Sequence, residues 1–344
     1  MRFSFLGCMQ NGERKVRVFE GFAGYGGASF GLKRAGISHE VIGFSEIDEW
    51  ANKIFRLNHP SIPDLGDITL IDETIMPDFD LFTGGFPCQP FSSAGLGNGE
   101  NDTRGTLFHD ILRICSHKKP GHILLENVKG LLSKRHQHTL RTIIASLEEI
   151  GYRVSFRLLN TKDYGIPQNR ERVWIYATLD PTISPEGIFE LPKTPMPHIG
   201  SFLDDKPNPV LYKNIDQIKR LEEVTGIELV TDECLCFDVY NRKIKTDGVC
   251  ITITEPHHNS MRIVEPKTGN KSWVRKLSVE EHFRLMGFRD GEFNFGDFSY
   301  QQLCKRAGNG WDINLVSLLF QRIFTSGRES IKSYELIESS IAHA

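Results

Sequence analysis

Apolar runs and helix-spaced stretches alternate through the first half of the chain. Candidate strands fall at residues 16–20, 40–45, 79–84, 121–126, 152–160 and 172–178. Between them, residues 28–35, 49–58, 107–117 and 139–150 carry apolar side chains at three-to-four spacing, which predicts amphipathic helices. Strands alternating with helices predict a parallel sheet covered on both faces, an open α/β architecture. After Thr178 the pattern breaks. Pro181, Pro185, Pro192, Pro195, Pro197, Pro207 and Pro209 crowd one segment, a density that forbids long regular elements. Short strands and loops are expected from 210 to 273, with β-branched residues favouring a strand at 248–254. Helical spacing returns at 278–286 and 313–324.

Composition narrows the class without choosing a function. Hydrophobic residues at 39% and charged residues at 25% are ordinary for a globular chain of 344 residues, a length that suggests two lobes or one domain with an insertion. No run approaches the ~18 apolar residues of a membrane span, and the start is too short for a signal-peptide core, so a soluble, cytoplasmic protein without membrane contact is expected. Seven scattered cysteines form neither a disulfide lattice nor zinc-spaced pairs, so no metal is expected. The net charge of −3 means that a nucleic-acid partner needs a local basic surface. One exists in the sequence: residues 240–275 hold seven basic side chains, Arg242, Lys243 and Arg262 among them, against three acidic ones. Such a run is either a solvated face or a DNA-binding one.

Chemistry concentrates after the candidate strands. Phe22-Ala23-Gly24-Tyr25-Gly26-Gly27 follows the first, where glycines admit a close ligand and helix N–H groups face it, or where the chain merely turns tightly. The spacing is not GxGxxG, which counts against a dinucleotide. Glu46 ends the second strand where an acid would bind ribose hydroxyls, and Asp67 stands where it would take an exocyclic amine. Pro87-Cys88-Gln89-Pro90 holds a thiol beyond a buried strand, in a frame that a packing cysteine does not need. Glu126 ends the next apolar run and is expected in the same crevice, where burial would raise its pKa and let it donate a proton. Arg170 and Arg172 are two apart on an extended segment and so share a face.

Seven motifs stand in one order: Phe22–Gly27, Pro87-Cys88-Gln89, Arg104-Gly105-Thr106-Leu107-Phe108, Glu126-Asn127-Val128, Gln168-Asn169-Arg170-Glu171-Arg172, Arg275-Lys276-Leu277 and Gly308-Asn309. On these residues the chain resembles the cytosine-C5 DNA methyltransferases of compact prokaryotic or phage type. The resemblance implies an S-adenosylmethionine-dependent, Rossmann-like open sheet and a smaller, irregular β-rich target-recognition domain. Residues 1–179 with 300–344 would bind the cofactor and catalyse; residues 180–299 would recognise the target. It implies that Cys88 attacks C6 of a flipped cytosine in duplex DNA, that Glu126 engages N3 and the exocyclic amine, that Arg172 orients the base and that Arg170 holds a neighbouring group or phosphate. Phe22, Ala23, Gly24, Tyr25, Gly26, Gly27, Glu46, Ile47, Asp67, Ile68, Pro87, Leu107 and Asn309 would hold S-adenosylmethionine. Gln89, Ser92, Arg104, Arg242, Lys243, Thr252, Ile253 and Arg262 would meet DNA, with Thr252-Ile253 central and the glycine-rich 92–106 loop closing over the base.

The chain departs from the family pattern at Glu20-Gly21 for Asp-Leu, at Ile47 for an aromatic residue, and at Gly310-Trp311-Asp312 for Ser-Val. A monomer is expected, with a restriction endonuclease as a system partner that forms no stable complex. The competing readings are a cytosine-C5 methyltransferase of transfer RNA, a binding protein that has lost catalysis, and a nicotinamide-dependent oxidoreductase; the last leaves Pro-Cys-Gln unexplained.

Overall fold

The computed structural model describes residues 14–87, 107–256 and 260–325. Its first sheet has the order β2-β1-β3-β4-β6-β5, built from β1 (Val16–Gly21), β2 (His39–Ser45), β3 (Leu81–Gly84), β4 (His122–Val128), β5 (Arg153–Asn160) and β6 (Glu171–Thr178). Alternation along the strands sorts the two faces. Phe19, Phe82, Ile123, Leu125, Val173 and Ile175 pack beneath α3 (Leu107–Lys118) and α4 (Gln137–Glu149). Their neighbours Val18, Leu81, Leu124, Trp174 and Tyr176 pack beneath α1 (Gly27–Ala35) and a C-terminal helix, residues 313–325. The helix α2 (Glu49–Asn58) caps the edge, with Phe55 stacked on Phe44 at 3.8 Å.

The sheet is mixed rather than wholly parallel, because β6 runs antiparallel to both β4 and β5. Only residues 161–170 join β5 to β6, short of the dozen or so that a parallel crossover needs. Beyond Thr178 lies a four-stranded antiparallel sheet, order β10-β9-β7-β8, from β7 (Leu235–Asp238), β8 (Lys243–Lys245), β9 (Met261–Val264) and β10 (Val274–Arg275). One face, through Phe237 and Val264, takes α5 (Ile215–Thr225). The other, through Cys236 and Ile263, joins a core that also holds Tyr25, Phe30 and Ile54. That core includes side chains from α6 (Val279–Arg284) and α7 (Tyr300–Asn309).

The expected strand at 248–254 does not form; the segment is extended but stitched to residues 167–169 instead. Two helices, α5 and α7, were not evident from apolar spacing. Both begin with a capping box, Asn214 with Gln217 and Ser299 with Gln302.

A buried ionic knot ties β10 to α6. Arg275, with a side chain 1% exposed, bonds Glu265 through Nε and forks onto both oxygens of Glu281 at 2.8 Å. Tyr212 donates to Glu265 from the far side. Removing the cation would strand two carboxylates. Arg275→Met is expected to lower unfolding free energy by about 3–5 kcal/mol in urea denaturation; a loss under about 1 kcal/mol would show that the knot is not cohesive.

Candidate active site

The turn after β1 is built from left-handed residues: Phe22, Gly24 and Gly26 have φ of 52°, 58° and 89°. For glycine this is free; for Phe22 it is a strained conformation of the kind that collects at functional turns. The turn is pinned by Glu46, whose carboxylate accepts from Gly24 N–H at 2.9 Å and from Asp48 N–H at 2.8 Å. The result is a cleft at the carboxyl ends of β1, β2 and β3, where ligands collect in open α/β sheets.

At one end the cleft is a chamber of about 280 Å³ lined by Phe22, Gly24, Glu46, Ile47, Asp67, Ile68, Pro87, Leu107 and Asn309. Ile47 is 74% exposed and so leaves apolar surface for a flat ring to cover. Asp67 folds back to cap its own turn through Thr69. A contiguous recess is lined by Glu20, Ala23, Tyr25, Gly27, Gly85, Gly310 and Trp311. Two of the expected cofactor residues also have structural roles. Gly26 supplies the left-handed cap of α1, where a Cβ would strike His59. The Tyr25 ring turns into a cluster with Phe283, Phe288 and Phe293, and its hydroxyl donates to the Trp311 carbonyl.

Glu126 closes the site from β4. Its carboxyl is largely buried, and Oε1 lies 2.8 Å from Nε of Arg172. The pairing of β4 with β6 sets Val128 opposite Arg172, so the guanidinium reaches back along the strand to the acid. Burial raises the Glu126 pKa, while the charges of Arg172 and Arg170 and hydrogen bonds from Trp311 and Arg172 hold it down. Neighbouring Asn127 faces inward and donates to the Phe86 carbonyl, anchoring the segment that leads to Pro87. Cys88, Gln89, Ser92 and Arg104 lie outside the described residues.

Arg170 holds neighbouring backbone carbonyls. It is buried and donates to the carbonyls of Ile253, Gly308 and Gly310 at 3.1, 3.1 and 2.7 Å. Three of its five N–H donors are taken by carbonyls, which makes it a structural staple. Ile253 was expected to meet DNA, but its side chain is fully buried, and its N–H donates to Gln168 Oε1. Thr252 donates to the Asn169 carbonyl. The 250–254 segment therefore docks the second lobe on the strand that carries Arg172. Arg262 is half-buried along β9 and donates to the Met261 carbonyl. Arg242 and Lys243 are exposed at the β7–β8 turn, next to Tyr240 at 84% exposure.

Several cleft residues had no signal in the motifs. Glu255 accepts from Asn309 at 2.7 Å, and Asp48 ties the start of α2 to Lys305 and Arg306 on α7. Asp312 caps the last helix, accepting from Leu315 N–H at 2.8 Å, which gives this departure a structural role.

A doubly covered sheet, a glycine turn at its first strand and an acid-lined cleft are consistent with the fold of S-adenosylmethionine-dependent methyltransferases. Solved structures share the fold: the S. pombe Dnmt2 methyltransferase aligns with a TM-score of 0.68 at 20% identity, over 89% of this chain and 97% of that one. A putative DNA modification methyltransferase from an E. coli prophage aligns at 0.65 and 20%, over 90% and 99%. The family model for C-5 cytosine-specific DNA methylase matches residues 16–325. Among relatives, Type II methyltransferase M.SsoII of Shigella sonnei is 32% identical over 92% of this chain and 82% of its own. M1.ScrFI of Lactococcus lactis subsp. cremoris is 41% identical over 84% and 73%.

The chain belongs to the C-5 cytosine-specific DNA methylase family. It is a DNA (cytosine-5-)-methyltransferase that uses S-adenosylmethionine. The transfer-RNA alternative is not favoured, since the matched family and these relatives are DNA and Type II methyltransferases. Among the described residues, no helix is long and apolar enough to cross a membrane.

The cleft fits this cofactor. Carboxylates stand in both recesses for a molecule that carries an amine and a sulfonium charge, and exposed Ile47 offers the adenine an apolar contact. Burial raises the Glu20 carboxyl to about 7, against the hydrogen bonds from Ser29. Below that pH the group is neutral; above it the anion attracts a cation bound beside it. Cofactor affinity is therefore expected to tighten as pH rises from 6 to 8, with proton release in calorimetry, and Glu20→Gln should flatten the dependence. A pH-independent wild-type affinity would exclude this coupling.

Proposed function

We propose that the enzyme methylates a cytosine flipped from duplex DNA through a covalent adduct with Cys88. The observation that carries this reading is the buried Glu126–Arg172 pair beside Gly85, which lines the cleft together with Pro87, the residue that precedes Cys88 in the sequence. Cytosine C5 is a poor nucleophile until C6 is saturated. The Cys88 thiolate forms a bond to C6, the electrons of the C5–C6 double bond move toward N3, and Glu126 delivers its proton there. Arg172 keeps the acid in place and contributes a donor for O2. Phe22, Ala23, Gly24, Gly27, Glu46, Ile47, Asp67, Ile68, Pro87, Leu107 and Asn309 would hold S-adenosylmethionine, which when bound would be the source of the methyl group for C5. Loss of the C5 proton to a base and expulsion of the thiolate restore the ring, and Glu126 recovers its proton from N3.

Extruding a base costs a few kcal/mol, and phosphate contacts offset it. Arg242 and Lys243, exposed on a two-stranded turn, suit that role, as do Gln89, Ser92 and Arg104 beyond the thiol. Residues 180–299 form the recognition domain in this reading, inserted between 1–179 and 300–344. The protein acts as a cytoplasmic monomer, and a restriction endonuclease shares its target without binding it; the support is the Type II naming of its relatives.

Bisulfite sequencing of plasmid from expressing cells should show protected cytosines in one sequence context. Cys88→Ala is expected to abolish protection while retaining DNA binding; substantial residual methylation would contradict the covalent route. DNA affinity should fall steeply with salt, and Arg242→Ala with Lys243→Ala should reduce the log–log slope by about one for each phosphate that is no longer neutralised. An unchanged slope would remove the turn from the interface.

A further inference from the structure

Trp311, one of the departures from the family pattern, sits against the proposed acid. The site of a Cβ on Gly85 would lie 3.1 Å from its Nε1 and 3.3 Å from Oε2 of Glu126, so both polar atoms border the same small space above Gly85. With both atoms bordering that space, the indole N–H is placed to donate to the carboxyl, and Trp311 is among the groups that lower the Glu126 pKa. Arg172 lies on the other oxygen, Oε1, at 2.8 Å.

The rest of the indole is held on every side. Its ring meets Trp174 edge-on, centroids 5.0 Å apart at 67°. Its carbonyl accepts from the Tyr25 hydroxyl. The preceding residues are stapled by Arg170 through the carbonyls of Gly308 and Gly310. Three glycines make the room: a Cβ on Gly310 would fall inside the Tyr25 ring, one on Gly27 would press on Trp311 Cβ at 3.1 Å, and one on Gly85 would crowd Nε1. Gly310 and Trp311 thus work as one unit with Tyr25, and the unit ends in a donor aimed at the site.

We propose that Trp311 is a positioning residue for catalysis, its indole N–H holding the second oxygen of Glu126 while Arg172 holds the first. Two fixed donors allow the carboxyl only one orientation, with a lone-pair direction left to carry the proton that passes to N3. A hydrogen bond to the charged form also keeps the acid more acidic than burial alone would leave it. The proposal rests on Glu126 being the acid.

The test is single-turnover methyl transfer to duplex DNA from a radiolabelled methyl donor, measured across pH. Trp311→Phe keeps an aromatic ring and removes the donor. At a saturating concentration of the methyl donor it is expected to slow the step about ten-fold or more while the dissociation constant for DNA stays within about two-fold. The reaction needs Glu126 protonated, so activity falls as pH rises through its pKa. Losing a donor to the carboxylate raises that pKa, so the alkaline limb should move to higher pH. A slower step with an unmoved limb would mean that Trp311 only packs, and would overturn the proposal.

If Trp311→Phe fails to fold, 3-benzothienylalanine at position 311 replaces the indole N–H by sulfur in nearly the same shape. It should show the same slowing and the same limb shift; wild-type behaviour would overturn the proposal. Glu126→Gln separates this from failure of the underlying reading. A near-normal rate in that variant would mean that Glu126 is not the acid, whatever position 311 does.

Discussion

Holding a carboxyl group away from water beside a guanidinium is the constraint on which the site depends. An isolated buried carboxylate would simply take up a proton and stay neutral, while a fully paired one would stay charged. Glu126 lies between: burial pushes its pKa up, and Arg172, Arg170 and Trp311 push it down. A group in that balance can give a proton to a ring nitrogen and take it back without a large cost in either direction. The antiparallel β4–β6 pairing is what brings the acid and Arg172 together, so the one reversed strand of the sheet serves chemistry as well as topology.

Arg170 ties together segments that are distant in sequence. Its guanidinium stitches the 253 carbonyl of the second lobe to the 308 and 310 carbonyls that precede the last helix. Burial and Arg172 lower its pKa to about 9, with Glu126 opposing, so it remains a cation at neutral pH. Two arginines spaced for one face thus divide the work, one bracing the acid and one bracing the backbone around it.

Much of the fold was legible because strand alternation and helix spacing are written in apolar side chains. The helices at residues 49–58 and 313–325 lie where their spacing placed them. The reversed strand was not legible, since hydrophobic pattern carries no direction; loop length was the available clue. A cleft lined by glycines and acids after successive strands was readable, whereas the packing of the Tyr25 ring and the burial of Ile253 were not, because a motif position does not reveal which way a side chain turns. Arg170 was expected to hold a neighbouring group or phosphate, and which group was not legible because its partners are carbonyls distant in sequence. Trp311 looked like a defect in a motif, and its contacts show a residue fitted to Tyr25, Gly27 and Gly85.

The most direct test of the account reads activation of the base without methyl transfer. Duplex DNA carrying cytosine tritiated at C5 loses tritium to water only if C6 has been attacked and the ring has become an enamine. With the methyl donor withheld, the wild-type enzyme should release tritium, and Glu126→Gln should release it at least about a hundred-fold more slowly. Equal rates would contradict the claim that this buried acid drives the chemistry.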